Sequence, residues 1–223
     1  MARFDRSLIP PQPDLSFEGA IWSQGVQIVA GVDEAGRGAL AGPVAAAVLV
    51  LPADPGLNGS FIGMRDSKLL SPAARETWSV RLREIAVAWG VGFASNHEID
   101  ALGIVTAVRL AAWRALSSLT IQPEHILLDC LFLPDHDCPQ TSLIKGDARS
   151  LSIAGASILA KTGRDALLRK LESQHPGYDL AGNKGYCTQA HVQALMQLGP
   201  SPVHRFSFAP VRDVAGKGTI LQI

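Results

Sequence analysis

The densest chemistry in this chain lies at Val32-Asp33-Glu34-Ala35-Gly36-Arg37-Gly38, where a mostly apolar run starting at Val26 meets two adjacent carboxylates. Buried carboxylates are costly unless a partner offsets their charge, and hard divalent ions such as Mg²⁺ take oxygen ligands of this kind. Gly36 and Gly38 permit backbone conformations closed to other residues and close approach to a ligand. Arg37 adds a planar cation suited to phosphate. Two further apolar segments end in carboxylates, one at Asp129 after His125-Ile126-Leu127-Leu128, the other at Asp147 after Lys145-Gly146. If these strands are neighbours, Asp33, Glu34, Asp129 and Asp147 gather at one edge of a sheet, where α/β folds commonly build their sites. Such a cluster repels itself and favours bound divalent cations. Two ions ~3.5–4 Å apart can activate a water, orient a phosphodiester and stabilise the leaving oxygen. Taken singly, each acid reads equally well as a cap or a turn former.

The elements that must hold these residues alternate between strands and helices. Residues 27–32 and 43–51 read as strands joined through a loop at 36–42, residues 87–94 as a third, and 125–129 and 142–145 as two short ones. Ser71-Pro72 offers a capping hydroxyl followed by proline at the first helical position, opening a helix that runs to about residue 85. Residues 104–116, 154–171 and 188–198 carry helical patterns. The expectation is an α/β fold, a mixed sheet layered with helices. Residues 1–25, interrupted by Pro10, Pro11 and Pro13, read as a loose N-terminal arm. A core over 26–180 follows, then a small C-terminal extension over 181–223 that packs on it. From Gly199 onward, with Pro200, Pro202 and Pro210, the chain reads as irregular, and its last residues, Ile220-Leu221-Gln222-Ile223, lack the paired aromatics of a docking peptide.

Composition bounds the partners. The 223 residues are 47% hydrophobic and 18% charged, which describes a globular chain with one substantial core and not a disordered one. No uninterrupted apolar segment approaches the about 20 residues needed to cross a bilayer, and no apolar signal region follows the charged N-terminus, so a cytoplasmic location is expected. Cys130, Cys138 and Cys187 form no C-x-x-C pair and read as incidental thiols. The net charge is zero, yet residues 1–140 hold 10 Lys/Arg against 15 Asp/Glu, and residues 141–223 hold 10 against 5. An acidic half joined to a basic half suits a metal-dependent enzyme acting on a polyanion.

A family resemblance rests on an ordered set of motifs: the Val32–Gly38 block, Asp66-Ser67-Lys68, Leu128-Asp129, Lys145-Gly146-Asp147, Ala156-Ser157-Ile158-Leu159-Ala160-Lys161, Arg164-Asp165, Lys184-Gly185-Tyr186 and His204-Arg205. In this order they resemble type 2 ribonuclease H, ribonuclease HII, over nearly the whole chain. The resemblance implies a ribonuclease H-like fold and a Mg²⁺- or Mn²⁺-dependent endonuclease. Its implied substrates are RNA/DNA hybrid duplexes, cut in the RNA strand, and DNA containing single ribonucleotides, cut on the 5′ side of the ribonucleotide. A monomer with no membrane partner is expected. By position, Asp33, Glu34, Asp129 and Asp147 match the family's metal-binding catalytic acids. Gly36, Arg37 and Gly38 match the loop that reads the 2′-hydroxyl, the group that distinguishes RNA from DNA. Tyr186 matches a tyrosine that stacks on the sugar at the RNA–DNA junction.

Lys68, Lys145, Lys161, Arg164 and Lys184 are the candidate phosphate contacts, which position a duplex without reading its sequence; a solvated basic surface is the competing reading for each. Asp165 reads as an ion-pair or surface residue ahead of one that assists the site from its helix; His204 reads as packing ahead of a phosphate contact or a hold on the C-terminal segment, and His191 as structural. Several positions depart from the family pattern. Cys130 stands where glycine follows the strand's aspartate, residues 131–138 replace the usual segment, Asn183 replaces a histidine, Gly163 a threonine and Phe206 an arginine. None of these removes a matched acid. Two other functions fit the same residues: another nuclease of this fold, which would be indifferent to ribose, and a hybrid-binding module that does not turn over.

Overall fold

The computed structural model describes residues 4–218. Five strands form one mixed sheet in the order β3-β2-β1-β4-β5, where β1 is Val29–Ala35, β2 Val44–Val50, β3 Ala88–Ala94, β4 His125–Asp129 and β5 Gln140–Leu143. The β1–β2 and β2–β3 pairs are antiparallel, whereas β1–β4 and β4–β5 are parallel. β2, Val-Ala-Ala-Ala-Val-Leu-Val, is buried along its whole length, as expected of a central strand covered on both faces. The expected mixed sheet flanked by helices is therefore present. β1 differs at both ends from the expected 27–32: it starts at Val29 and continues through Asp33 and Glu34 to Ala35, because both residues pair with β2, opposite Ala47 and Ala46.

The helix layers follow from the sheet's two faces. One face carries α4 (Ile104–Ser117), whose Ala107, Ala111, Ala112 and Ala115 are fully buried against β1, β2 and β3. The other carries α5 (Leu151–Gln174), which crosses β1 and β2 with Ile153, Ala154, Ala156, Ile158 and Leu159 in the core. It runs unbroken through Gly163. Small residues let α5 approach closely: a Cβ on Gly31 would lie 2.3 Å from the Ser152 carbonyl carbon. α2 (Pro72–Ile85) begins as expected, with the Ser71 hydroxyl accepting the Ala74 N–H at 3.2 Å. α3 (Asn96–Leu102) opens on a reciprocal Ser95/Glu98 capping box.

Two segments are more ordered than the sequence suggests. The N-terminal stretch contains α1 (Ser16–Trp22), which buries Leu15, Glu18 and Trp22. Glu18 lies fully buried, its Oε1 accepting the hydroxyls of Ser150 (2.6 Å) and Ser152 (2.5 Å) and the Ser152 amide (2.9 Å). Ser150 in turn caps α5 by accepting the Ile153 N–H. Burial pushes the Glu18 carboxyl pKa up, and the three hydrogen bonds oppose that shift. The C-terminal region, expected to be irregular, instead forms α8 (Ala209–Gly218). Pro210 falls in its first turn, where a missing N–H costs nothing. With α6 (Leu180–Asn183) and α7 (Gln189–Leu198), this region builds a third apolar cluster of Leu40, Ala41, Leu168, Tyr178, Leu180, Leu195 and Val211. Ile220-Leu221-Gln222-Ile223 lies outside the described residues. Among the described residues, no helix is long and apolar enough to cross a membrane.

Candidate active site

Strand register brings the acids together. β1 and β4 are parallel with Val32 opposite Leu128, so Asp33 and Asp129 come next at the same level. β4 and β5 are parallel with Asp129 opposite Leu143, and the helical turn after β5 carries Asp147. Asp33, Asp129 and Asp147 each offer an oxygen within 4.8 Å of the others. Glu34 is not in this trio. Successive strand residues point to opposite faces; Gly31 and Asp33 face α5, which places Glu34 on the other side, with its carboxylate 3.6 Å from Arg37.

The trio is electrostatically loaded. Burial, then the charges of Glu34, Asp129 and Asp147, raise the Asp33 pKa well above the ordinary carboxylate range, and the Ser157 hydroxyl offsets a part. Burial and Asp147 raise Asp129, against the Gly146 amide, which donates to its Oδ1 at 2.7 Å. Burial also raises Glu34, with Arg37 opposing. Lys68 reaches into the cluster and donates to Asp147 Oδ2 at 3.1 Å. Burial works against its ammonium, but Asp147 and Asp66 outweigh that and hold it above its ordinary value. The other oxygen of Asp147, Oδ1, is buried without a hydrogen-bond partner. Such an orphan is costly unless something positive meets it. Three clustered carboxylates with one oxygen unsatisfied are a donor set that fits a hard divalent cation.

The glycine loop leaves the same strand end. Gly36 has φ +88°, and a Cβ there would lie 1.9 Å from Arg164 Nε. Beneath it the fully buried Arg164 donates to the carbonyls of Pro43 (2.8 Å), Lys184 (2.8 Å) and Ala41 (2.9 Å). The expected phosphate contact at Arg164 is thus corrected: its guanidinium is spent on the backbone that shapes the loop and has no exposure. A second fully buried cation, Arg205, donates to the carbonyls of Arg37 (2.9 Å) and Gly42 (3.0 Å). The loop is also strapped by main chain, Leu40 N–H to Gly185 O, Gly42 N–H to Val203 O and Arg205 N–H to Leu40 O. Gly38 differs from Gly36, since its φ is ordinary and a Cβ there would meet open space.

The remaining candidates lie around this centre. Ser157, Lys161 and Arg164 follow one another along α5, and Lys161 pairs with Asp165 at 2.7 Å, as expected of Asp165. Tyr186 is half-buried, with Lys161 Nζ 5.5 Å and Arg164 Cζ 5.6 Å from its ring centre. Lys184 is half-buried, and its ammonium donates to the Ala181 carbonyl. Lys145 is exposed beside Asp129. Asn183 holds the turn before Tyr186 by accepting the Gly185 N–H at 2.7 Å. Cys130 adopts φ +46°, so the departure from glycine places a side chain in a left-handed conformation next to Asp129. Cys130→Gly is expected to raise stability by about 0.5–1 kcal/mol, the relieved strain less glycine's extra unfolded freedom. An unchanged or lower urea midpoint would contradict this.

The loop support from Arg205 and the helix anchor at Glu18 were not legible in the sequence, since neither residue sits at a spacing that signals burial. Lys68 was legible as a cation near the site but not as the partner of Asp147.

Residues 30–211 match the family model described as Ribonuclease HII. The chain is 53% identical over 205 residues to a ribonuclease HII of Synechococcus sp. (strain JA-3-3Ab), covering 91% of each. It is 51% identical over 194 residues to that of Moorella thermoacetica (strain ATCC 39073 / JCM 9320), covering 86% of this chain and 92% of the relative. In structure it resembles the ribonuclease H2 of Pyrococcus horikoshii OT3, with a TM-score of 0.71 and 27% identity over 85% of this chain and 98% of that one. Bst-RNase HIII, in a complex with Mn²⁺, shares the fold with a TM-score of 0.63 at 17% identity, over 87% of this chain and 71% of that one. With a buried acid cluster, a strapped glycine loop and this breadth of similarity, the chain belongs to the ribonuclease HII family and is a ribonuclease H endonuclease.

Proposed function

We propose that this enzyme hydrolyses the RNA strand of RNA/DNA hybrids and cuts duplex DNA on the 5′ side of a single embedded ribonucleotide, leaving a 3′-hydroxyl and a 5′-phosphate. The observation that carries this reading is the convergence of Asp33, Asp129 and Asp147 at the strand ends, with Asp147 Oδ1 buried and unpartnered, beside a loop whose backbone is held open to solvent at Gly38. Asp33, Asp129 and Asp147 would hold Mg²⁺ or Mn²⁺, with Glu34 at the margin of the group. A bound divalent ion there lowers the pKa of water and steadies charge on phosphate oxygens. The protein's own part is orientation. Main-chain groups of Gly36, Arg37 and Gly38, fixed from below by Arg164 and Arg205, meet the 2′-hydroxyl. Lys145, Lys161 and Lys184 favour the phosphates, and Lys68 holds Asp147 in place. Tyr186 lies against the deoxyribose that follows the ribonucleotide, where a second 2′-hydroxyl would crowd its ring. The active species is the monomer.

The test is cleavage of a labelled DNA duplex carrying one ribonucleotide against an all-DNA duplex, in Mg²⁺ and in Mn²⁺. A single cut 5′ of the ribonucleotide, missing from the all-DNA control, is the expected result. Cutting of both duplexes would favour a nuclease indifferent to ribose, and binding without a cut would favour an inert hybrid-binding module. Tyr186→Ala is expected to lower cutting at the lone ribonucleotide about tenfold more than cutting of a continuous hybrid, the scale of one lost stacking contact. Equal losses on the two substrates would remove Tyr186 from the junction.

A further inference from the structure

Behind Tyr186 lie two fully buried histidines whose rings meet, His191 on α7 and His204 in the segment that straps the glycine loop. Their Nε2 atoms are 3.0 Å apart. His204 Nδ1 is 3.0 Å from the Ser201 amide nitrogen, and His191 Nδ1 is 2.9 Å from the Tyr186 carbonyl oxygen. These contacts determine the protons. A backbone N–H is an obligatory donor, so His204 Nδ1 accepts and the proton of that ring sits on Nε2. The Ser201 hydroxyl, 2.9 Å from Nδ1, can donate to it as well, and the Ser201 carbonyl, 3.3 Å away, already accepts the His204 N–H at 3.0 Å. His204 Nε2–H then donates to His191 Nε2, and His191 must carry its proton on Nδ1, where it donates to the Tyr186 carbonyl. The chain runs one way, from Ser201 N–H through both rings to Tyr186 O. A second proton on either ring would set two N–H groups against each other.

We propose that His191 and His204 are positioning residues for Tyr186: a directed relay through two neutral imidazoles ties the Tyr186 main chain to the segment that also straps the glycine loop. This rests on the reading of Tyr186 as the residue that meets the sugar beyond the ribonucleotide. Tyr178 encloses the relay, its ring centre 4.8 Å from that of His204 and 6.4 Å from that of His191, with its hydroxyl donating to the Gly199 carbonyl at 2.7 Å. Asn96 holds the far end by donating to the His204 carbonyl at 3.1 Å. Burial and the neighbouring His191 push the His204 pKa down to about 4, in keeping with a neutral ring that carries a single N–H. The relay joins the two parts of the site that would meet the sugars on either side of the junction, since the His204 backbone also bridges to Ala41 at the end of the glycine loop.

Three measurements test the relay together. Imidazole nitrogen NMR of the unaltered protein at neutral pH is expected to show His204 protonated on Nε2 and His191 on Nδ1; any other pair of tautomers overturns the relay, and this needs no variant to fold. His191→Leu is expected to lower cutting at a lone ribonucleotide about tenfold more than cutting of a continuous hybrid, the effect of one lost buried hydrogen bond. Its Tyr186 carbonyl carbon resonance should move. His191→Asn, whose amide N–H can still reach the Tyr186 carbonyl, is expected to recover most of the lost preference. An unmoved Tyr186 carbonyl resonance, or equal losses on both substrates where Tyr186→Ala does show the preference, would make the pair ordinary packing. Tyr186→Ala measured in parallel separates the two ideas. If that variant shows no preference while the tautomers and the carbonyl shift are as expected, the relay stands and the junction role of Tyr186 falls.

Discussion

Asp33→Asn is expected to abolish cleavage and to stabilise the protein at the same time. Asp33 belongs to the trio with its carboxylate buried, and its loss removes a proposed ligand whose site would supply several kcal/mol of transition-state stabilisation, so turnover should fall about a thousandfold or more. Duplex binding should survive, because the proposed phosphate contacts lie elsewhere. The gain in stability follows from the raised carboxyl. A carboxyl whose folded pKa lies above its unfolded one burdens the folded state at neutral pH, and the burden lifts as pH falls through the folded value. Asn removes it at every pH. In metal-free buffer at neutral pH the melting temperature should rise by about 3 °C or more, and the difference from the unaltered protein should shrink on acidification. Wild-type turnover in this variant would remove Asp33 from the chemistry. A lower melting temperature would show that the carboxylate's hydrogen bonds outweigh its repulsion.

The second large effect is expected at Gly36→Ala. The added carbon would lie 1.9 Å from Arg164 Nε in a backbone at φ +88°, and Arg164 cannot swing away without abandoning three carbonyls. Either the loop shifts or the buried donors and acceptors part. The expected cost is about 2–4 kcal/mol of stability, from left-handed strain and orphaned carbonyls combined. Cleavage should fall about a hundredfold, as for a misplacement of reacting groups by roughly an ångström. Gly38→Ala is the control: its carbon meets open space, so stability should hold, and any lost activity reports on substrate contact. Denaturant midpoints and single-ribonucleotide cleavage for the pair separate scaffold from recognition. A Gly36→Ala protein as stable and active as the unaltered one would contradict the loop's dependence on Arg164.

The parts of the fold that local pattern determines were legible in the sequence. β2, β3, β4, α2, α4 and α7 fall within one or two residues of expectation because an apolar run or a capping hydroxyl marks each end. The acids were legible because three apolar runs end on them. What was not legible depends on pairing. That Asp33 and Glu34 part to opposite faces follows from β1 continuing in register with β2, which no single segment reveals. Arg164 looked like a surface cation because nothing in its own helix says that the Gly36 turn lies on top of it. α1 was hidden by the prolines before it, and its Glu18 acquires meaning only against Ser150 and Ser152. α3 is the avoidable omission, since Ser95 and Glu98 spell out its start.

The Glu18 anchor also bears on how the chain is made. Its acceptor oxygen meets donors 132 and 134 residues further on, so as the chain emerges in order α1 exists long before its partners do. The buried carboxylate has its full set of donors only once residue 152 has been synthesised, and β1 likewise waits for β4. Contacts this distant in sequence slow folding and lengthen the time that apolar strands stand exposed. The Glu18 anchor is therefore expected to form late, as a latch thrown after the strands that precede Ser150 have been made.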